Sequence, residues 1–113
     1  MPGALRRSGP AFISNSAANI LSEPASGFHH AIKHIHIVNV GAASTFSLYL
    51  GATGGSAAGT QLNGGTRTIA ANSKDDWYPQ NLKQSNTEFL SGIAADASRL
   101  VITIIYELRP NES

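Results

Sequence analysis

From Arg99 to Leu108 the chain alternates without a break. Leu100, Ile102, Ile104, Tyr106 and Leu108 point one way, and Val101, Thr103, Ile105 and Glu107 the other. Side chains of an extended strand alternate between two faces, so this order presents one continuous apolar surface only as β-structure. Thr45 to Leu50 repeats it in miniature, with Phe46, Leu48 and Leu50 inward and Ser47 and Tyr49 outward. No window of about eleven residues carries the i, i+3, i+4, i+7 stripe of an amphipathic helix.

Shorter strands are expected at Ala11 to Ser14, Asn19 to Leu21, Ile32 to Val40, Arg67 to Ala71 and Glu88 to Gly92. Simple alternation over Ile32 to Val40 sets Ile35 and Ile37 on one face and Ile32, His34, His36, Val38 and Val40 on the other. Both faces are apolar, which suits a strand covered twice. Gly41 to Ser44 and Asn72-Ser73-Lys74-Asp75-Asp76 carry turn chemistry. Trp77, Tyr78 and Leu82 then return to the core. Gly51 to Gly65 holds six glycines and reads as a long loop with a short edge strand at Gln61-Leu62. About seven or eight strands at spacings near ten residues predict an antiparallel β-sandwich or jelly-roll-like barrel with an extended N-terminal arm.

Two segments follow from this reading: an arm over 1–27 and a single β-sandwich domain over 28–113. The arm has few large apolar residues and is broken by Pro and Gly, so it offers little burial to offset its own chain entropy. Neighbouring subunits are expected to hold it. Leu5, Arg6, Arg7, Phe12 and Ile13 are therefore candidate partner-binding residues. Ile32, His34, His36 and Val38 are a second group, because the outward face of their strand is too apolar for solvent.

Composition narrows the function. Among 113 residues the net charge is +1 and only 13% are charged. Binding nucleic acid through its phosphates needs a basic stripe, and the Lys and Arg here are scattered apart from Arg6-Arg7, so no direct sequence-specific nucleic-acid partner is expected. With no cysteine there is no disulfide framework, thiolate nucleophile or Cys zinc site. No apolar run is long enough to span a bilayer, and no signal peptide or membrane partner is expected.

The residues with the most chemistry are His29-His30 and His34-Ile35-His36. On a strand His34 and His36 share a face at a spacing that suits one metal ion, but the sequence shows no third ligand beside them. His-x-His occurs in the cupin metal motif, yet the glutamate and third histidine of that motif are missing, so neither metal site nor cofactor is assigned. On a three-fold axis, three copies could pool six imidazoles. Asp75 and Asp76 point to opposite faces if extended and do not converge as a glycosidase pair. Trp77 and Tyr78 beside them admit a lectin-like sugar site. The glycine-rich segment lacks the lysine and following helix of a phosphate loop, and no G-x-S-x-G elbow is present.

Ile35-His36-Ile37-Val38-Asn39-Val40-Gly41, followed by Thr45-Phe46-Ser47-Leu48-Tyr49-Leu50-Gly51, resembles a pattern in small virion proteins of tailed bacteriophages. There a strand ending in V-N-x-G leads through a turn to a strand ending in L-Y-L and a Gly/Ala-rich tip. Ile69-Ala70-Ala71-Asn72-Ser73, Phe89-Leu90-Ser91-Gly92 and Leu100 to Leu108 continue the likeness. The resemblance implies a non-enzymatic structural protein located in the virion, a capsid decoration or minor capsid subunit of β-sandwich form. It also implies a homo-oligomer, with a trimer favoured, that binds the major capsid protein or other virion proteins. A head–tail connector or tail/baseplate component is the alternative, and a small cupin-like metal-binding enzyme a more distant one.

Overall fold

The computed structural model describes residues 5–16, 18–51, 60–62, 66–80 and 82–111. Ten strands are found among them: β1 (Leu5–Phe12), β2 (Ala18–Leu21), β3 (Phe28–Asn39), β4 (Ser44–Gly51), β5 (Thr60–Gln61), β6 (Arg67–Ile69), β7 (Lys74–Trp77), β8 (Lys83–Ser85), β9 (Phe89–Ala94) and β10 (Leu100–Pro110). The described residues contain no helix. The two strands with the clearest alternation, β4 and β10, lie where their patterns put them.

The strands form two antiparallel sheets. One has the order β1-β10-β3-β7, with β8 beside β7 on the same flank of β3; the other has β2-β9-β4-β5, with β6 beside β5 on the flank of β4. First pairs with last (β1·β10), second with next-to-last (β2·β9), and the pairing nests inward to β3·β7/β8 and β4·β5/β6. A long hairpin rolled over itself gives this order, which is that of a jelly roll. The molecule is thus an all-β antiparallel sandwich.

The core lies between the sheets. Leu100, Ile102 and Ile104 of β10 and Ile35 and Ile37 of β3 face Phe46 and Leu48 of β4 and Leu90 of β9, all at most 2% exposed. Two buried amides stitch the layers together. Asn39, at the end of β3, donates through Nδ2 to Ala42 O (2.8 Å), Ile69 O (3.0 Å) and Ala70 O (3.2 Å) and accepts from Gly41 N. Gln84 of β8 donates to Leu21 O in the opposite sheet (2.8 Å) and to Glu88 O (3.0 Å). Each amide donates to backbone carbonyls of segments distant from its own strand.

Several expectations change. Residues 5–12 and 18–21 do not extend away from the sandwich: β1 and β2 are edge strands of the two sheets, paired with β10 and β9 of the same chain. Ile13 is 1% exposed in the core and Leu21 is buried, so Ile13 is not a surface partner-binding residue. Burying such a side chain stabilises by about 1.5–3 kcal/mol, which gives this segment an anchor that its composition conceals. Met1 to Ala4 lie outside the described residues.

Ile32 also moves inward. In the β3–β10 register His34 faces Ile105 and Ile32 faces Tyr106, leaving Lys33 as an extra residue. This bulge inverts the alternation, so Ile32 joins the core at 3% exposure instead of sharing the face of His34. Lys74-Asp75-Asp76, read as a turn, is strand β7 against β3. Tyr78 stays outside the core and is largely exposed. Of the Gly51 to Gly65 loop, residues 52–59 and 63–65 lie outside the described residues. The short strand within it is Thr60–Gln61, and Leu62 instead enters the core, its N–H donating to Leu48 O.

Candidate functional site

Cross-strand partners in an antiparallel sheet share a face. Following the register outward from β7, Asp76 faces His36, His36 faces Thr103, His34 faces Ile105, Ile105 faces Arg7, and Leu5 faces Glu107. Further along, Val38 faces Val101 and Val101 faces Phe12. Ile35, Ile37 and Ile102 point into the core, so this second set forms the outer surface of the β1-β10-β3-β7 sheet. Leu5, Arg7, Phe12, His34, His36 and Val38 therefore lie on one face, although β1 and β3 are far apart in sequence. Arg6 is opposite Tyr106 on the other side of β1. On the edge strand, Leu5 is 65% and Phe12 53% exposed.

At the β3–β7 end of this face the side chains converge. His34 Nε2 lies 2.8 Å and His36 Nδ1 2.5 Å from the same oxygen, Asp76 Oδ1. An ionised carboxylate only accepts, so both imidazoles donate N–H from these atoms. The two hydrogen bonds, His36 first, hold the Asp76 carboxyl below the usual carboxylate range, with Lys74 adding a smaller effect in the same direction. Lys74 Nζ stands 3.8 Å from Asp76 Oδ2. Tyr78 stacks flat on His34, with ring centroids 4.2 Å apart and planes within 4°. His34, His36 and Asp76 form a group of metal-ligating side chains whose donor atoms all lie within 4.8 Å of one another.

The sequence reading found His34 and His36 but missed Asp76. The third ligand comes from β7, whose Lys-Asp-Asp run carries no apolar alternation. The other two histidines lie elsewhere. His29 Nδ1 is 3.0 Å from Asn111 Oδ1. His30 is buried, with Nδ1 2.9 Å from Gln84 Oε1 and its ring 4.5 Å from that of Tyr106. Because the Gln84 nitrogen is occupied by two carbonyls, its oxygen faces His30, and His30 donates from Nδ1. Burial, above all, lowers the His30 pKa.

Asp75 turns away from Asp76 and pairs with Arg67 at 2.9 Å, so the two carboxylates do not converge. Trp77 packs against the core while Tyr78 lies over His34; the two rings do not make a common sugar platform. A cleft of about 360 Å³ opens where β7 and β8 part along β3, lined by Ile32, Lys33, Leu82, Lys83 and Arg109 among others. Its Lys33 and Arg109 are both paired with Glu107.

No protein-family model matches the chain, and no curated protein or solved structure is significantly similar to it.

Proposed function

We propose that the protein is a non-enzymatic structural subunit of a tailed-bacteriophage virion, a capsid decoration or minor capsid protein, that binds its neighbours through the outer face of the β1-β10-β3-β7 sheet. The observation that carries this reading is the pair of large apolar side chains, Leu5 and Phe12, left more than half exposed on an edge strand. They share that face with Val38, Val101 and Ile105. Apolar surface of this kind marks a contact site. The jelly-roll order supports the reading to the extent that capsid proteins use it, though lectins and cupins use it too. The motifs around Val38-Asn39-Val40-Gly41 and Leu48-Tyr49-Leu50 add the resemblance to virion proteins.

The physical mechanism is avidity. Each copy contributes a modest apolar contact, and symmetry-related copies, a trimer being favoured, turn several such contacts into stable attachment. With only 13% charged residues and a net charge of +1, repulsion between closely packed copies is small.

The test is to purify tailed-phage particles from the source culture through a density gradient and probe them with an antibody to this chain. The proposal expects the chain to co-migrate with intact particles in many copies, and a Leu5→Asp/Phe12→Asp variant to associate at least about tenfold less. A copy number limited to one ring per particle would shift the assignment to a connector or tail component. Absence from particles would overturn it.

A further inference from the structure

We propose that His34, His36 and Asp76 form a binding site for a divalent transition cation of the zinc class. The inference does not rest on the virion reading. Two imidazole nitrogens and a carboxylate oxygen suit such ions by type. They come from adjacent positions of two paired strands, with all donor atoms within 4.8 Å of one another. Ligands around a tetrahedral zinc sit roughly 3.3 Å apart when each bond is about 2.0–2.1 Å. The present contacts of 2.8 and 2.5 Å to Asp76 Oδ1 therefore open by less than about 1 Å, and the two imidazole nitrogens, at most 4.8 Å apart, close by at most about 1.5 Å, within reach of small χ rotations.

The site is preorganised. β3 fixes His34 and His36 on one face, the β3–β7 register sets Asp76 opposite His36, and Tyr78 clamps the His34 ring. It is also open: the side chains of His34, His36 and Asp76 are 24%, 32% and 26% exposed. A cation can enter from solvent, and water completes its coordination, as at zinc sites with three protein ligands. On binding, each imidazole presents a lone pair where it now holds N–H, and its proton is carried by the far ring nitrogen. Lys74 is the opposing feature, since its ammonium lies 3.8 Å from Asp76 Oδ2. Its side chain is 68% exposed and free to swing into solvent.

Zinc chloride titrated into the untagged full chain in a calorimeter tests the site. The expected result is one zinc ion per chain, with affinity falling at least about tenfold in both Asp76→Asn and His36→Gln, each checked for native circular dichroism. Lys74→Gln removes no ligand and is expected to bind zinc about two- to fivefold tighter by relief of charge repulsion. It keeps the test decisive should a ligand variant fail to fold. No saturable binding, binding that survives both ligand substitutions, or an affinity unimproved by Lys74→Gln would overturn the proposal.

Discussion

Asp76 lies directly across from His36 on the β3–β7 pair, and one of its oxygens accepts from both His36 and His34. The pairing sets the outermost strand of the sheet against the centre of β3 and lets a single carboxylate oxygen accept from two imidazoles. It also makes one edge of the outer face polar while the opposite edge, β1, is apolar. From β7 to β1 the surface passes from Asp76 and the histidines through Thr103 and Ile105 to Leu5 and Phe12. A partner seated there meets a charged, directional contact and an apolar one on the same sheet.

Asn39 holds the corner where β3 leaves its sheet. Its side chain is 1% exposed and bridges to Ile69 and Ala70 in the other layer. Replacing it removes the Asn39 donor from Ala42 O and Ile69 O and leaves Ala70 O only its bond from Ser73 N, so Asn39→Ala is expected to lower stability by about 2–4 kcal/mol. Chemical denaturation monitored by Trp77 fluorescence measures this. A loss below about 0.5 kcal/mol, the range of an ordinary surface change, would contradict the role given to Asn39.

His30 makes stability depend on pH. Its pKa in the folded chain lies below the ordinary value of 6.5, chiefly because it is buried; the Gln84 hydrogen bond opposes the shift, while Arg6 and His29 add to it. Tyr106 closes the remaining side. As pH falls below 6.5 the unfolded chain takes up this proton before the folded one, so the stabilisation present above 6.5 is lost on acidification. Melting temperature should fall between pH 7.5 and 5.5, and fall less steeply in His30→Gln. Parallel curves for the two proteins would show that another group governs the slope.

Gly9 carries the β1 bulge. Its φ is +90°, and a Cβ there would sit 2.5 Å from the backbone oxygen of Ile102. Gly9→Ala combines left-handed backbone strain with a clash that no side chain can relieve, for an expected loss of about 2–4 kcal/mol. Hydrogen exchange offers the sharper readout: protection should fall first at the β1–β10 amides and at Ile13, just past β1, whose N–H donates to Leu100 O. Unchanged protection there would show that β1 docks without the constraint.

The sandwich was legible because the sequences of β4 and β10 alternate without a break, and Phe46, Leu48, Leu100, Ile102 and Ile104 of those rows are buried. What alternation could not show is where it breaks. The bulge at Lys33 has no glycine or proline to announce it, yet it moves Ile32 from the outer face to the core. β7 is polar because it is an edge strand with solvent beside it, and charge on an edge looks like a turn when read without its partner. Asp76 was missed for the same reason: its contact with His36 spans 40 residues and exists only through the strand register. The anchoring of residues 5–16 and 18–21 was not legible because the apolar partners of Ile13 and Leu21 lie on strands distant in sequence.

The mass of the full chain in solution, measured by light scattering over a range of concentrations, tests the outer face as an interface most directly. The account predicts an oligomer, with three times the chain mass favoured, that dissociates in the Leu5→Asp/Phe12→Asp variant while its circular dichroism stays native. A chain that is monomeric at every concentration, or an oligomer unmoved by those substitutions, would contradict it.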